Sequence, residues 1–328
     1  ANGFQCYLAT GVIFVVSWKT GHFDPAIVYD HFGEILSSLN IIALVFCTFL
    51  LIKGHLAPSG ADSGSCGSPL YDFYWGMELY PRIGSFDIKE FTNCRFGMMA
   101  WEFIILCFLV KQQQMNGVAA DSMIVSVFLM TVYNTKFFMW ETGYWGSIDI
   151  MHDRAGYYIC WGCLVWVPSI YTSPALYLVN NPVALGTPLA AAITVAGLFC
   201  IWSNYDCDRQ RQTFRETGGK APVWGKAPTY IVAKYTTSEG TKKSSLLLTS
   251  GWWGLARHFH YLPEIMSSFF WTMPGLFQHP LHYFYVFYLS ILLADRAIRD
   301  DSRCLSKYGP FWQEYQSKVP YRILPYIF

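Results

Sequence analysis

Charge is scarce in this sequence. Only 14% of its 328 residues are Asp, Glu, Lys or Arg, against about 25% in an ordinary soluble domain, which argues against a soluble enzyme. An excess of one sign is missing too: Lys and Arg number 23 and Asp and Glu 22, for a net charge of +1, so no basic field points to nucleic acid as a partner. Ten cysteines in 328 residues fall far below the roughly 8–10% of a disulfide scaffold. Most of them, such as Cys47, Cys107, Cys160 and Cys200, lie in apolar runs where a thiol acts as a small hydrophobe. There is no G-x-G-x-x-G, no G-x-x-x-x-G-K-[ST] and no H-E-x-x-H, which excludes a Rossmann fingerprint, a P-loop and a zincin site. Period-2 alternation is not evident, so a membrane barrel is not expected. Internal repeats, low-complexity tracts and a signal peptide are also lacking.

What is abundant is apolar and aromatic surface. The chain is 53% hydrophobic and 18% aromatic, with 13 Trp, 22 Tyr and 25 Phe, a composition suited to interfacial belts and a lipid-facing exterior. Apolar spans run over Phe4–Trp18, Ile35–Ile52, Phe96–Val110, Ser122–Trp140, Ala155–Val179, Val183–Trp202, Met266–Phe277 and Leu281–Ala294. The second, fourth, fifth and sixth reach the ~18–20 residues needed to cross a bilayer, and the others are short enough to be tilted, broken or partly inserted. The expected fold is all-α: a polytopic transmembrane helical bundle, with a C-terminal part built from broken and short helices.

The polar text orients the chain. Asp206–Ser245 reads as a long loop carrying Arg209, Arg211, Arg215, Lys220, Lys226, Lys234, Lys242 and Lys243 against Asp206, Asp208, Glu216 and Glu239, and six more Lys or Arg follow Ala294. The positive-inside rule puts both on the cytoplasmic side. Lys53–Leu70, with Pro58, Gly60, Asp62, Gly64 and Gly67, reads as a flexible connection.

Several ionisable groups lie at membrane depth, where each needs a partner or a cavity: Glu102, Lys136, Glu141, Asp149, His152 and Asp153. On a helix Asp149, His152 and Asp153 share a face, giving either a proton-handling cluster or an interfacial helix cap. Cys160-Trp161-Gly162-Cys163 has redox spacing but sits in an apolar helix, which disfavours that chemistry. His258 and His260, and His279 and His282, lack metal-ligand company, so no metal is expected. Leu246–Tyr261 is too polar and glycine-broken for a plain transmembrane helix and reads as an interrupted element lining a cavity. Beyond it, Arg296, Asp300, Cys304 and Tyr308 fall at steps of four, with Tyr315 seven further on, one stripe along a helix. With Arg211 and Arg215, this stripe suits either a multiply phosphorylated ligand or an amphipathic helix on anionic headgroups.

These residues also carry a family resemblance. The run Leu-Leu-Thr-Ser-Gly-Trp-Trp-Gly-Leu-Ala-Arg-His-Phe-His-Tyr at 247–261 resembles the sterol reductase family, as do Arg299-Asp300-Asp301, Lys307-Tyr308-Gly309 and Val319-Pro320-Tyr321-Arg322. That family comprises the sterol C14, C24(28) and C7 reductases and the membrane half of the lamin B receptor. His152-Asp153-Arg154-Ala155-Gly156, Cys160–Cys163 and Tyr171-Thr172-Ser173-Pro174 are most similar to its C7 branch, the plant type in particular. The resemblance covers essentially the whole chain. It implies an NADPH-dependent multi-pass enzyme of the endoplasmic reticulum membrane that reduces the C7–C8 double bond of a 5,7-diene sterol. Sterol substrate and membrane lipid are then its partners, and association with other sterol-biosynthesis enzymes is compatible with it. By motif position the implied cofactor contacts are Arg211, Arg215, Leu248, Trp253, His260, Tyr261, Asp300, Cys304, Tyr308 and Tyr315, with Arg296 as a neighbour. Arg211 stands where the family usually has lysine, and His260 where many members have Asn. Family members carry further segments upstream, so residues 1–145 are expected to be N-terminal membrane helices lacking their first part, and 146–328 the catalytic half.

The implied substrate sets the chemistry. An unactivated ring alkene accepts hydride poorly, so C8 must be protonated first; the allylic cation over C5 to C7 then takes hydride at C7. That requires an acid in a dry cavity, sought among Glu141, Tyr144, Asp149, His152, Asp153 and Tyr157. Three alternatives remain: a C14 reductase of the same family, an isoprenylcysteine methyltransferase-like enzyme, and a non-catalytic sterol-binding scaffold. The methyltransferase cofactor has no 2′-phosphate, which the Arg211 and Arg215 pair disfavours.

Overall fold

A computed structural model describes residues 2–61, 63–237 and 240–328. Ala1, Asp62 of the expected flexible connection and Glu239 of the expected basic loop lie outside the described residues. Six helices among those described are long and apolar enough to cross a membrane, which makes this a polytopic helical membrane protein. In order, the main elements are α1 (Gly3–Lys19), α2 (Phe32–Leu56), α3 (Ile88–Asn116), α4 (Asp121–Met139), α5 (Tyr157–Asn180), α6 (Thr187–Glu216), a hairpin of β1 (Tyr230–Thr236) and β2 (Lys242–Leu248), α7 (Tyr261–Thr272), α8 (Pro280–Tyr308) and α9 (Pro310–Lys318). The six spans are α2 to α6 and α8.

Two of these spans correct the sequence reading. The apolar text of Phe96–Val110 and Leu281–Ala294 is too short to cross, yet α3 and α8 each run 29 residues, because their polar flanks remain helical. The same reason moves Arg211 and Arg215, read as loop residues, onto the last turns of α6. Within the expected loop the antiparallel hairpin pairs Tyr230 with Leu248 and Thr236 with Lys242. Its first strand does alternate, with Ile231 and Ala233 buried between exposed neighbours, a period-2 signal masked by the surrounding lysines. In α5, Pro168 has no N–H to donate, and the helix widens to a π-helical stretch over Gly162–Tyr171.

The chain forms two compact units, one of Ala1–Ile193 with Trp271–Tyr285, the other of Thr194–Phe270 with Val286–Phe328. The division at 145/146 follows motif content whereas the units follow packing, and they cut at different residues. The first unit is centred on an aromatic cluster in which Trp101 lies within 6.4 Å, centroid to centroid, of Tyr133, Tyr171, Trp271 and Tyr285. Beside it the buried Glu102 carboxylate accepts hydrogen bonds from Thr131 Oγ1 at 2.9 Å and Asn134 Nδ2 at 3.0 Å. In the second unit Ile231, Ala233 and Leu247 of the hairpin pack with Cys304, Trp312, Tyr315 and Val319.

Candidate functional site

In the second unit the last turns of α6 act as a template for the segment after the hairpin. Trp252 donates its backbone N–H to Gln210 Oε1 at 3.0 Å and its indole N–H to Asp206 Oδ2 at 2.9 Å. Trp253 donates its indole N–H to the Cys207 carbonyl at 2.8 Å. The preceding Gly251 has φ +65°, and a Cβ there would stand 2.2 Å from Gln210 Oε1, so the turn needs glycine. With Trp253 fixed, the Arg211 guanidinium lies 4.0 Å from its ring centre, a cation–π geometry, and also pairs with Asp208 at 3.2 Å. One turn on, Arg215 is exposed, and its guanidinium has no carboxylate or hydrogen-bond partner among the described residues.

Around this pair the implied contact residues assemble. Leu248 is buried against Phe214, Val223 and Trp253. His260 lies 5.0 Å from the Trp253 ring and 4.2 Å from that of Tyr261, and its carbonyl accepts from Asn204 Nδ2 at 3.0 Å. Tyr315 donates its hydroxyl to the Trp253 carbonyl at 3.2 Å. Burial holds that hydroxyl well above the ordinary tyrosine range, while Arg211, Arg257 and Arg215 pull it the other way. Tyr308 meets Tyr235 of the hairpin edge to face at 5.4 Å. Asp300 accepts from Arg303 Nε at 3.0 Å and from the Cys304 thiol at 3.7 Å, and Arg296 is half-buried on the same helix. Ten of the eleven implied residues contribute to one linked arrangement, and Arg296 adjoins it.

Three residues with no role assigned from sequence hold this arrangement in place. Arg257 donates to Asp301 at 3.0 and 2.7 Å and to the carbonyls of Val319 and Pro320 at 2.7 and 2.9 Å. Arg322 donates to the same Asp301 carboxylate at 2.7 Å. The backbone N–H groups of Arg257 and His258 bond the carbonyls of Tyr321 and Arg322 at 2.9 and 2.7 Å. All three letters stand inside the motifs quoted above, so the signal was present, but only the fold shows that they bind one another. Asn204 and Gln210 had no signal in the sequence. His258, stacked on Tyr261 at 5.4 Å, is pushed down to about 4 by burial, against the pull of Asp300 and Asp301. Its 3.6 Å approach to Asp300 is therefore a contact of neutral imidazole at neutral pH.

The residues fit a dinucleotide phosphate. An arginine without a carboxylate partner, a second arginine seated on an indole one turn away, and a wall of tyrosines offer charge for phosphate and faces for aromatic rings.

The six candidates for the acid lie in the first unit, and the structure does not gather them on one helix face. The helix expected to carry Asp149, His152 and Asp153 spans only Ile148–Met151 and ends at His152 with φ −135°, so the i, i+3, i+4 face does not form. His152 is exposed, whereas Asp149 and Asp153 are buried. Glu141 is buried and accepts from both terminal nitrogens of Arg95. Tyr157 is half-buried and stacks on Phe73 and Trp161 at 5.7 and 5.3 Å. Tyr144 and Asp149 do meet: the Tyr144 hydroxyl donates to Asp149 Oδ2 at 3.3 Å. Of the redox-spaced cysteines, Cys160 is placed as a small hydrophobe, fully buried among Ile159, Ala155 and Cys47, while the half-buried Cys163 donates its thiol to Asn93 Oδ1 at 2.8 Å.

A family model described as the ergosterol biosynthesis ERG4/ERG24 family matches residues 1–328. The chain is 64% identical over 329 residues to a 7-dehydrocholesterol reductase of Arabidopsis thaliana, covering 100% of this chain and 76% of that one. It is 41% identical over 330 residues to a 7-dehydrocholesterol reductase of Danio rerio, covering 100% and 69%. It is also 37% identical over 330 residues to a Delta(14)-sterol reductase of Methylotuvimicrobium alcaliphilum, covering 100% and 74%.

Proposed function

The chain belongs to the ergosterol biosynthesis ERG4/ERG24 family, and on that premise we propose that it is an NADPH-dependent sterol reductase acting on the C7–C8 bond of a 5,7-diene. The observation that carries the C7 reading is the 64% identity, along the whole chain, to a protein named for that reaction. The Delta(14) relative at 37% supports the second reading, reduction at C14 in the same fold. Arg215, lacking a carboxylate partner one turn from Arg211, supports a 2′-phosphorylated cofactor over its unphosphorylated form. Bound there, a reduced nicotinamide supplies hydride. Arg211 and Arg215 would hold the phosphates, the Trp253, His260 and Tyr261 rings would orient the cofactor, and Asp300, Tyr308 and Tyr315 would frame it.

For the proton, the geometry favours Tyr144 with Asp149. Glu141 is engaged by Arg95, His152 is open to the surface and Tyr157 is held by stacking. The hydroxyl and carboxyl of Tyr144 and Asp149 share a proton path, so the group that protonates the alkene can be recharged by its neighbour. We place the protein in the endoplasmic reticulum membrane, with the end of α6, the hairpin and the tail toward the cytosol, because Lys and Arg concentrate there.

The test is sterol profiling by mass spectrometry in a yeast strain expressing the full-length protein, with membranes assayed in parallel with NADPH. Conversion of 7-dehydrocholesterol to cholesterol is expected. Turnover of a Δ14 substrate alone overturns the C7 reading in favour of C14 reduction, and turnover of neither overturns the enzyme.

A further inference from the structure

Lys89, at the start of α3, is fully buried and has no part in the chemistry described so far. Its ammonium donates to the Ile150 carbonyl at 2.8 Å and to the Asp153 carbonyl. The Ile150 carbonyl is one of those that the short helix Ile148–Met151 leaves without a backbone donor when it ends at His152. The Tyr80 ring lies 5.3 Å from the ammonium. Taking an ammonium out of water costs several kcal/mol unless partners replace it, so this placement needs a return.

The far end of the same turn is held independently. Ala155 N–H bonds the Glu78 carbonyl at 2.9 Å, Arg154 bonds the Gly64 carbonyl at 2.6 Å, and the Gly156 backbone lies against Gly76 so closely that a Cβ on Gly156 would stand 2.3 Å from Gly76 N. Lys89 thereby ties residues 150 and 153, on either side of the turn that follows Asp149, to α3.

We propose that Lys89 is a positioning residue for the Tyr144–Asp149 pair: it ties down the turn that carries Asp149. This rests on the reading of that pair as the proton source.

The test uses the full-length enzyme in membranes, with Lys89→Met and Lys89→Arg assayed beside Tyr144→Phe and Asp149→Asn, and NADPH binding as the control for folding. Lys89→Met is expected to lower kcat on 7-dehydrocholesterol by about 30-fold or more, with both KM values within about threefold, as misplacement of a reacting group does. Lys89→Arg should restore at least about a third of the rate, since a guanidinium can serve both carbonyls. If Lys89→Met keeps its rate while Tyr144→Phe and Asp149→Asn are inactive, the positioning role alone is overturned. A rate loss that arginine does not rescue overturns it too, leaving a merely structural lysine. If Tyr144→Phe and Asp149→Asn both keep full activity, the proton-source reading fails and this role falls with it.

Discussion

Arg257 and Asp301, 44 positions apart, close a two-bond ion pair at 3.0 and 2.7 Å inside the second unit. Both are about 5% exposed, so the pair is shielded from water. Removing one partner of a buried pair costs about 3–5 kcal/mol, and because Asp301 keeps its bond from Arg322 when Arg257 is lost, the lower figure applies. Arg257→Ala is therefore expected to lower the apparent Tm in detergent by roughly 10 °C and to abolish NADPH binding. Arg322→Ala, at the more exposed member of the trio, should cost less than half as much by the same unfolding assay.

Cofactor choice should rest on the two arginines of α6. Arg215→Ala is expected to raise the KM for NADPH by about 10- to 100-fold and that for NADH by less than about threefold, as loss of a charge-assisted phosphate contact does. Steady-state kinetics with both cofactors decides it, and equal losses would remove the 2′-phosphate from the role of partner.

His258 gives stability a pH dependence. Its folded value of about 4 lies below the ordinary 6.5 because of burial, so the folded chain holds it neutral while the unfolded chain takes up a proton. The contribution is complete above pH 6.5 and is lost as pH falls toward 4. Between pH 8 and pH 5 this amounts to on the order of 2 kcal/mol. Unfolding at the two pH values should show His258→Gln losing less stability on acidification than the parent.

Gly156→Ala should disrupt the turn from its other end. A Cβ at 2.3 Å from Gly76 N and 2.5 Å from the Trp75 carbonyl carbon has only backbone to push against, so strain of about 2 kcal/mol or more is expected. The readout is a lowered apparent Tm with a fall in turnover, whereas Gly162→Ala, where nothing lies within 4 Å, should leave packing undisturbed.

Much of the architecture was legible in the text. Long apolar runs announced α2, α4, α5 and α6, because bilayer thickness imposes a length that composition reveals. The text failed where helix continues into charge: Arg211 and Arg215 lie on α6 because its hydrogen bonds propagate past the apolar boundary. The hairpin was missed since only Ile231 and Ala233 mark its inner face on β1. In the cofactor arrangement the stripe Arg296, Asp300, Cys304 and Tyr308 was readable from period alone, and α8 carries it. The acid candidates were not: a helix that stops at Met151 cannot be told from one that continues until Lys89, 61 residues before Ile150, is seen bonding its end.

The pairing of residues 257–258 with 321–322 also sets an order of events. Translation delivers Arg257 44 residues before its carboxylate partner Asp301 and still longer before the Tyr321 and Arg322 carbonyls that hold residues 257 and 258, so the binding arrangement completes only once residues 319–322 have emerged from the ribosome. A nascent chain arrested short of Pro320 would already have made its membrane helices yet be unable to grip its nucleotide. Quality control acting on such chains would meet an inserted but non-binding protein.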